Sequence, residues 1–179
     1  MKDELRIVPY DPEWPVAFVR ERMRLAGALG RAALRIDHNG STAVPGLSAK
    51  PIIDIQVSVQ QLQPMDCYAP ALGGLGYVHV PHADDAFCPF FHRPRVWPHT
   101  HHVHVVAAGS DEERRTLAFR DYLRDHPQLA RDYAALKQQL VQRHAAADHA
   151  AREAYARGKT DFVTSVVEQA LAAGYPRAG

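Results

Sequence analysis

Pro51-Ile52-Ile53-Asp54-Ile55-Gln56-Val57-Ser58-Val59 is the stretch that decides the fold, because it has the clearest strand periodicity in the 179-residue sequence. The side chains of a strand alternate between two faces, so the aliphatic residues at 53, 55, 57 and 59 share one face and Asp54, Gln56 and Ser58 lie on the other. One face therefore packs in a core and the other faces polar groups. We predict a central strand in which Asp54 is paired, solvated in a cleft or bound to a metal, because an unpaired buried carboxylate is costly.

Helices and further strands alternate around this segment as far as residue 108, and only helices follow. The small, polar residues 40–50 predict a loop, and Ser110-x-x-Glu113 is a capping box. We therefore predict an α/β (α+β) fold in one domain 1–179, with a mixed sheet covered by helices over 1–108 and a helical C-terminal part over 109–179. The other predicted strands are 35–39, 77–80, 87–91 and 101–107, and the predicted helices are 15–34, 61–73, 110–124, one from 127, and 149–173.

The composition excludes several classes of function. Lys plus Arg number 21 against 20 Asp plus Glu, and a formal net charge of +1 excludes strong sequence-independent binding to nucleic acid or an anionic membrane. Two cysteines, Cys67 and Cys88, are too few for a disulfide framework or a thiolate metal cage. Residues 1–5 lack the apolar core of a signal peptide, and no run of consecutive apolar residues is long enough to span a membrane. We therefore expect a cytoplasmic protein.

A Gly-Ser pair upstream of the acidic strand indicates phosphate chemistry. Gly40-Ser41 is separated from Asp54 by twelve residues, a pattern that resembles nucleotidyltransferases of the polymerase-β type. Backbone N–H groups at such a turn can approach phosphate oxygens, because glycine has no side chain. Two carboxylates on the strand would hold Mg²⁺, which clamps the triphosphate. Here the second position is Gln56, which can coordinate only as a neutral amide, and Asn39 before the glycine is another departure.

A longer string is more specific: His38-x-Gly40-Ser41-Thr42-x-Val44-Pro45-Gly46-Leu47-x-Ala49-Lys50-Pro51-Ile52-Ile53-Asp54-Ile55 resembles the hallmark of the GrpB-like family. Other segments agree along nearly the whole chain, namely 8–15, 102–105, 117–124, 133–137 and 155–162. The resemblance implies a nucleotidyltransferase-like α/β fold with a helical C-terminal part. It implies no settled reaction, since the family is largely uncharacterised and some of its members are fused to dephospho-CoA kinase.

Two histidines, His102 and His104, share one face of a predicted strand and can bind a single divalent metal. A carboxylate from a neighbouring strand, Asp54, would complete a His₂Asp site. Zinc or manganese suits this donor set better than magnesium, which prefers oxygen ligands. The alternatives are a structural salt bridge for Asp54 and a hydrogen-bonded or partly exposed histidine pair. Of the other histidines, His38 could add a metal ligand, but a lone histidine near a turn is more often structural, and His99 and His101 are predicted to face solvent.

Three lysines are candidates for neutralising phosphate: Lys50 before the acidic strand, and Lys137 and Lys159, each one helical turn after a tyrosine. The alternatives are a solvated loop lysine at 50 and lysines that extend outward from core tyrosines at 137 and 159.

Together these residues predict an intracellular, metal-dependent nucleotidyltransferase-like enzyme that uses a nucleoside triphosphate (NTP) and an unidentified small acceptor. Gly40 and Ser41 would cradle phosphates, the three lysines would balance their charge, and Asp54 with one or both histidines would hold the metal. The alternatives are a non-catalytic nucleotide- or metal-binding module on the same fold, and a metal-dependent phosphohydrolase that activates water at the same site.

Overall fold

Five strands form one mixed sheet in the computed structural model of the chain, which describes residues 6–144 and 149–177. The order across the sheet is β1-β2-β5-β4-β3, in which β2 and β5 run parallel and the other neighbours are antiparallel. The acidic strand β2 therefore has a neighbour on each side, as predicted. The strands are β1 (Arg35–Asn39), β2 (Ile53–Val59), β3 (Val78–Val80), β4 (Phe90–Arg93) and β5 (His101–Ala107).

Helices cover both faces of β2. On the aliphatic face, Ile55 is fully buried with Leu25 and Leu72, which lie on the first two helices. The polar face is covered by the third helix, and the later helices pack with it around a second apolar cluster that includes Leu123, Tyr133 and Val166. The helices are α1 (Glu13–Leu29), α2 (Ala69–Gly74), α3 (Asp111–Asp125), α4 (Pro127–Arg143), α5 (His149–Arg157) and α6 (Thr160–Ala172).

The start of α3 is fixed to β2 through a modified capping box. The hydroxyl of Ser110 accepts the N–H of Glu113 at 3.2 Å, as the sequence predicts. The Glu113 carboxylate does not return to the N–H of Ser110. It accepts the N–H of Gly109 at 2.6 Å and the hydroxyl of Ser58 at 2.5 Å. The same residue therefore caps the helix and satisfies a polar group on the buried face of the sheet.

Several predicted boundaries are wrong for identifiable reasons. The predicted helix 61–73 begins only at Ala69, because Pro64 has no N–H for a helix interior. The predicted helix 149–173 is two helices that meet at Gly158, where a Cβ would collide with the side chain of Leu140. Helix α1 ends at residue 29, before a 3₁₀ turn over 30–32, and the strand predicted at 87–91 occupies 90–93.

Helix α1 buries a charged side chain that the apolar pattern does not predict. Arg22 is exposed, whereas Glu21 beside it is buried, with 3% of its surface accessible. Its carboxylate accepts two hydrogen bonds from Arg93 of β4, at 3.0 and 3.1 Å, and one from the hydroxyl of Tyr77 at 3.0 Å. This network connects α1 to β4, which lies near the edge of the sheet opposite to β1.

Both cysteines are free thiols. Over the described ranges, the helices lack the combination of length and apolar character that crossing a bilayer requires. Residues 1–5, 145–148 and 178–179 lie outside the described residues. The prediction about a signal peptide falls on the first of these segments, and the predicted halves 1–108 and 109–179 each contain at least one of them. The assignment of a single domain stays a prediction.

Candidate active site

The parallel pairing of β2 with β5 brings the predicted metal ligands together. Asp54 is the register partner of His102, and Gln56 is the partner of His104. Oδ1 of Asp54 lies 3.3 Å from Nδ1 of His102 and 3.9 Å from Nε2 of His104. One potential ligand atom from each of these three residues lies within 4.8 Å of the others. One carboxylate oxygen and two imidazole nitrogens fit zinc or manganese by donor chemistry.

The electrostatics of this cluster favour the protonation states that metal binding needs. Burial raises the pKa of Asp54, but the hydrogen bond with His102 and the nearby charges of His102, His104 and Lys159 outweigh it and hold the pKa below its usual range. Burial lowers the pKa of His104 to about 4, against the opposing charge of Asp54. An ionised carboxylate and a neutral imidazole are the forms that coordinate metal. All three side chains are partly exposed, so the cluster is open to small ions.

Gly40 lets the loop backbone pass directly over Asp54. Its φ is +65°, and a Cβ at this position would lie 2.9 Å from both Cβ and Cγ of Asp54. No residue with a side chain fits this approach. Arginines of α3 hold the loop from behind: Arg120 donates to the carbonyl of His38 at 3.1 Å, and Arg124 donates twice to the carbonyl of Ala43, at 2.9 and 2.7 Å.

The same loop forms one wall of a cavity of about 60 Å³ into which three lysines converge. Nζ of Lys137 donates to Oγ of Ser41 at 3.0 Å and to the carbonyl of Ser48 at 2.5 Å. Nζ of Lys50 and Nζ of Lys159 lie over the ring of Tyr155, at 3.9 and 4.7 Å from its centroid. The cavity lining consists of Ser41, Thr42, Ala49, Lys50, Asp54, Lys137, Tyr155 and Lys159.

Positive charge in this cavity exceeds the single carboxylate that faces it. Burial, assisted by the neighbouring Lys159, lowers the pKa of both Lys50 and Lys137 to about 7, against the opposing effect of Asp54. Burial also lowers the pKa of Lys159. The alternative that Lys137 extends outward from the core is wrong, since only 2% of its surface is exposed. An anion in the cavity would raise the pKa of these amines, because a nearby opposite charge favours their protonated form.

Gln56, which occupies the place of a second strand carboxylate, is fully buried; its oxygen is hydrogen-bonded, whereas its Nε2 has no hydrogen-bond partner among the described residues. Its Oε1 accepts the hydroxyl of Thr116 at 2.5 Å and the amide of Asn39 at 3.4 Å. Of the β2 side chains that the structure describes, Asp54 therefore offers the one carboxylate to this cleft. Gln56 therefore serves as a hydrogen-bond acceptor on the buried polar face of the sheet.

Of the three other histidines with a predicted place, one lies as expected and two do not. His38 is structural as expected: its Nε2 lies 3.0 Å from Oγ1 of Thr42 and its ring stacks on Phe18. His99 and His101 were expected to face solvent, and both expectations are wrong. His99 is partly buried with Nδ1 at 3.1 Å from Nε2 of His102, and His101 is partly buried with Nδ1 at 3.2 Å from the guanidinium of Arg93.

The sequence did not identify two aromatic parts of the site. The ring of Tyr155 contacts the amines of Lys50 and Lys159, and the ring centroid of Tyr133 lies 4.7 Å from Nζ of Lys137. The available signal was the repeated spacing of four between each tyrosine and its lysine, which places the two side chains on neighbouring helical turns.

The mixed sheet, with a Gly-Ser loop packed against an acidic strand, defines a nucleotidyltransferase-like fold. The chain belongs to the GrpB family, whose model, described as GrpB protein, matches residues 4–169. The crystal structure of the conserved protein GrpB from Enterococcus faecalis is 32% identical and covers 93% of this chain and 98% of its own, with a TM-score of 0.82. A crystal structure of Cid1 poly(U) polymerase is 15% identical with a TM-score of 0.50, covers 77% of this chain and 45% of its own, and shows likeness of fold alone.

Relatives by sequence include proteins longer than this chain. UPF0157 protein PA4798 of Pseudomonas aeruginosa is 42% identical over 175 residues, which cover 96% of this chain and 69% of that protein. A dephospho-CoA kinase of Mycolicibacterium paratuberculosis is 35% identical over 163 residues, which cover 78% of this chain and 40% of the kinase. The chain therefore matches well under half of that enzyme.

Proposed function

We propose that the chain is a metal-dependent nucleotidyltransferase that moves a nucleotidyl group from a nucleoside triphosphate to a small acceptor. The observation that carries this proposal is the sharing of Asp54 between two sets of side chains. Asp54 lies with His102 and His104 in a potential metal cluster, and it also lines the cavity of Lys50, Lys137 and Lys159. Nucleotidyl transfer needs a metal and cations beside the same triphosphate.

Each residue has a defined task in this proposal. Asp54, His102 and His104 would hold a divalent metal, zinc or manganese in preference to magnesium, which when bound would neutralise charge on the reacting phosphates. The lysines would bind the β- and γ-phosphates, and the backbone and hydroxyl of Gly40-Ser41 would orient them. An oxygen of the acceptor bonds to the α-phosphorus as the bond from that phosphorus to the bridging oxygen breaks. Pyrophosphate leaves on the lysines, and the proton of the acceptor passes to water.

The buried Gln56 favours a second candidate function. With its amide held by Thr116 and Asn39, one acidic ligand is left on β2, whereas two-metal transfer uses a pair. A non-catalytic nucleotide- or metal-binding module fits this reduced set. A single-metal phosphohydrolase that activates water at Asp54, His102 and His104 is the third candidate.

One experiment separates the three. The protein is incubated with each of the four common NTPs and with Mn²⁺, Zn²⁺ or Mg²⁺, with or without the small-molecule fraction of a cell extract, and released pyrophosphate and phosphate are measured. Transfer predicts pyrophosphate release that needs the extract fraction and is lost in Asp54→Asn. Asp132→Asn, at an exposed carboxylate on α4 that contacts Gln128, is the matched control and should behave as wild type.

The other outcomes assign the alternatives. Phosphate release without the extract fraction would support the hydrolase. Calorimetric binding of a triphosphate without release of either product would support the module and contradict the proposed transfer.

A further inference from the structure

His102 is held between two polar groups, one on each ring nitrogen. Its Nδ1 lies 3.3 Å from Oδ1 of Asp54, and its Nε2 lies 3.1 Å from Nδ1 of His99. The two ring nitrogens of a neutral imidazole are never equivalent, since one carries the proton and the other a lone pair. The contact with His99 therefore bears directly on which nitrogen of His102 is available at the metal cluster.

The nitrogen of His102 that faces Asp54 must offer a lone pair in order to bind a metal beside that carboxylate. The proton of the neutral ring then lies on Nε2, and it needs an acceptor because the side chain is only partly exposed. Nδ1 of His99 is placed to be that acceptor. A histidine that ligates metal usually donates its other N–H to a fixed partner, which sets the tautomer and the ring orientation.

We propose that His99 is a positioning residue for the metal cluster: when a metal binds and replaces the hydrogen bond between Nδ1 of His102 and Asp54, Nδ1 of His99 accepts the Nε2–H of His102 and so leaves the Nδ1 lone pair for the metal beside Asp54. This inference rests on the metal site of the proposed function. It adds a residue that the strand pattern of β5 does not include, because His99 precedes that strand.

His99 is itself held in place, as a positioning residue must be. Its ring stacks on that of His92, with a centroid distance of 3.8 Å and an interplanar angle of 9°. His92 is buried on β4 and donates from Nδ1 to the carbonyl of Pro94 at 2.9 Å. The ring of Trp97 packs edge-on against His99 at 5.1 Å. The orientation of the acceptor nitrogen therefore does not depend on a bound metal.

Two substitutions separate hydrogen bonding from packing. His99→Phe keeps an aromatic ring for stacking on His92 but removes the acceptor. His99→Asn loses the stacked ring but supplies an amide oxygen as an acceptor. The matched control is His126→Phe, at a histidine outside the cluster whose ring packs against that of Tyr122 and whose Nδ1 donates to the Tyr122 carbonyl. Urea unfolding establishes that each variant is folded before its metal binding is compared.

The measurements are the affinity for Co²⁺ and Zn²⁺ by calorimetry and the visible absorption of bound Co²⁺. Loss of an outer hydrogen-bond partner usually weakens metal binding about 10- to 100-fold, which is the effect expected for His99→Phe, with a changed Co²⁺ spectrum. His99→Asn should bind within several-fold of wild type, and His126→Phe should be unchanged in affinity and spectrum.

Three results would overturn the inference. If wild type binds Co²⁺ in a manner that depends on Asp54 while His99→Phe binds equally well, His99 has no positioning role although the metal site stands. If His99→Phe and His99→Asn weaken binding alike with unaltered spectra, His99 acts by packing alone. If wild type binds no metal, the inference fails together with the metal site of the proposed function.

Discussion

Replacing Lys137 by methionine should make the protein more stable and at the same time less able to bind polyphosphate. Lys137 is 2% exposed, and none of the carboxylates in the described part of the chain is in hydrogen-bond contact with its amine; the partners of the amine are Oγ of Ser41, the carbonyl of Ser48 and the face of Tyr133. Methionine has a similar length and flexibility without the charge. The substitution therefore removes a buried cation and leaves most of the packing in place.

The magnitude follows from the pKa of Lys137, which burial and the neighbouring Lys159 lower from 10.5 to about 7. Between these two pH values the unfolded chain binds the proton and the folded chain does not, so stability rises with pH across this window. At about 1.4 kcal/mol per pH unit, the cost of this amine reaches about 5 kcal/mol at and below pH 7 and disappears above pH 10.5. Two acceptors left without a donor offset about 1–3 kcal/mol of the gain.

The expected difference between Lys137→Met and wild type is thus a gain of about 2–4 kcal/mol in the free energy of unfolding at pH 7. This difference should be about 3 kcal/mol smaller at pH 9, because the free energy of unfolding of the wild-type protein increases by that amount as the pH rises. Urea denaturation at both pH values measures it. A difference that does not change with pH would refute the assignment of a costly charge to this amine. Calorimetry with inorganic tripolyphosphate should show weakened binding in the same variant.

Three further predictions concern other parts of the molecule. Gly40→Ala should lower stability by about 1–3 kcal/mol and weaken Co²⁺ binding, because its Cβ would displace Asp54; urea unfolding and calorimetry test both, and wild-type values would contradict it. Lys50, whose pKa burial lowers to about 7, should be acylated rapidly at pH 7.5 and protected by tripolyphosphate, as peptide mass spectrometry can show; unprotected labelling would contradict it. Glu21→Gln should cost about 3 kcal/mol in urea unfolding by breaking the buried pair with Arg93, and a cost below 1 kcal/mol would contradict it.

Local sequence patterns were sufficient to predict the frame of the site. The alternation in residues 51–59 predicted an interior strand with Asp54 on its polar face, and the two-residue spacing of His102 and His104 predicted a shared face on β5. Their meeting follows from one further fact, the parallel pairing of these two strands. Periodicity carries no information about which strands pair, so the neighbouring position of these two strands was an assumption of the predicted His₂Asp site.

Features that depend on contacts between distant segments could not be predicted in this way. Glu21 is buried because Arg93, 72 residues further along, reaches its carboxylate. The need for glycine at residue 158, between the two helices, depends on the side chain of Leu140, with which a Cβ would collide. The place of His99 beside His102 depends on the path of the chain before β5. In each case the deciding partner lies on another element, and no window of sequence contains both groups.

The distribution of lysine in the sequence bears on what the cavity binds. The chain has four lysines among its 21 basic residues; three line one cavity, and the fourth, Lys2, lies outside the described residues. The guanidinium group of arginine keeps its charge under all physiological conditions, whereas a buried lysine can release its proton. Three arginines in so small a cavity would repel one another permanently whenever no anion is bound. Some of the three lysine amines can instead be deprotonated while no anion is bound, and they can bind protons again when a polyphosphate enters the cavity. We therefore expect tripolyphosphate binding to consume protons at pH 8, which calorimetry in buffers of different ionisation enthalpy measures directly. Binding without proton uptake would contradict this account of why lysine occupies all three positions.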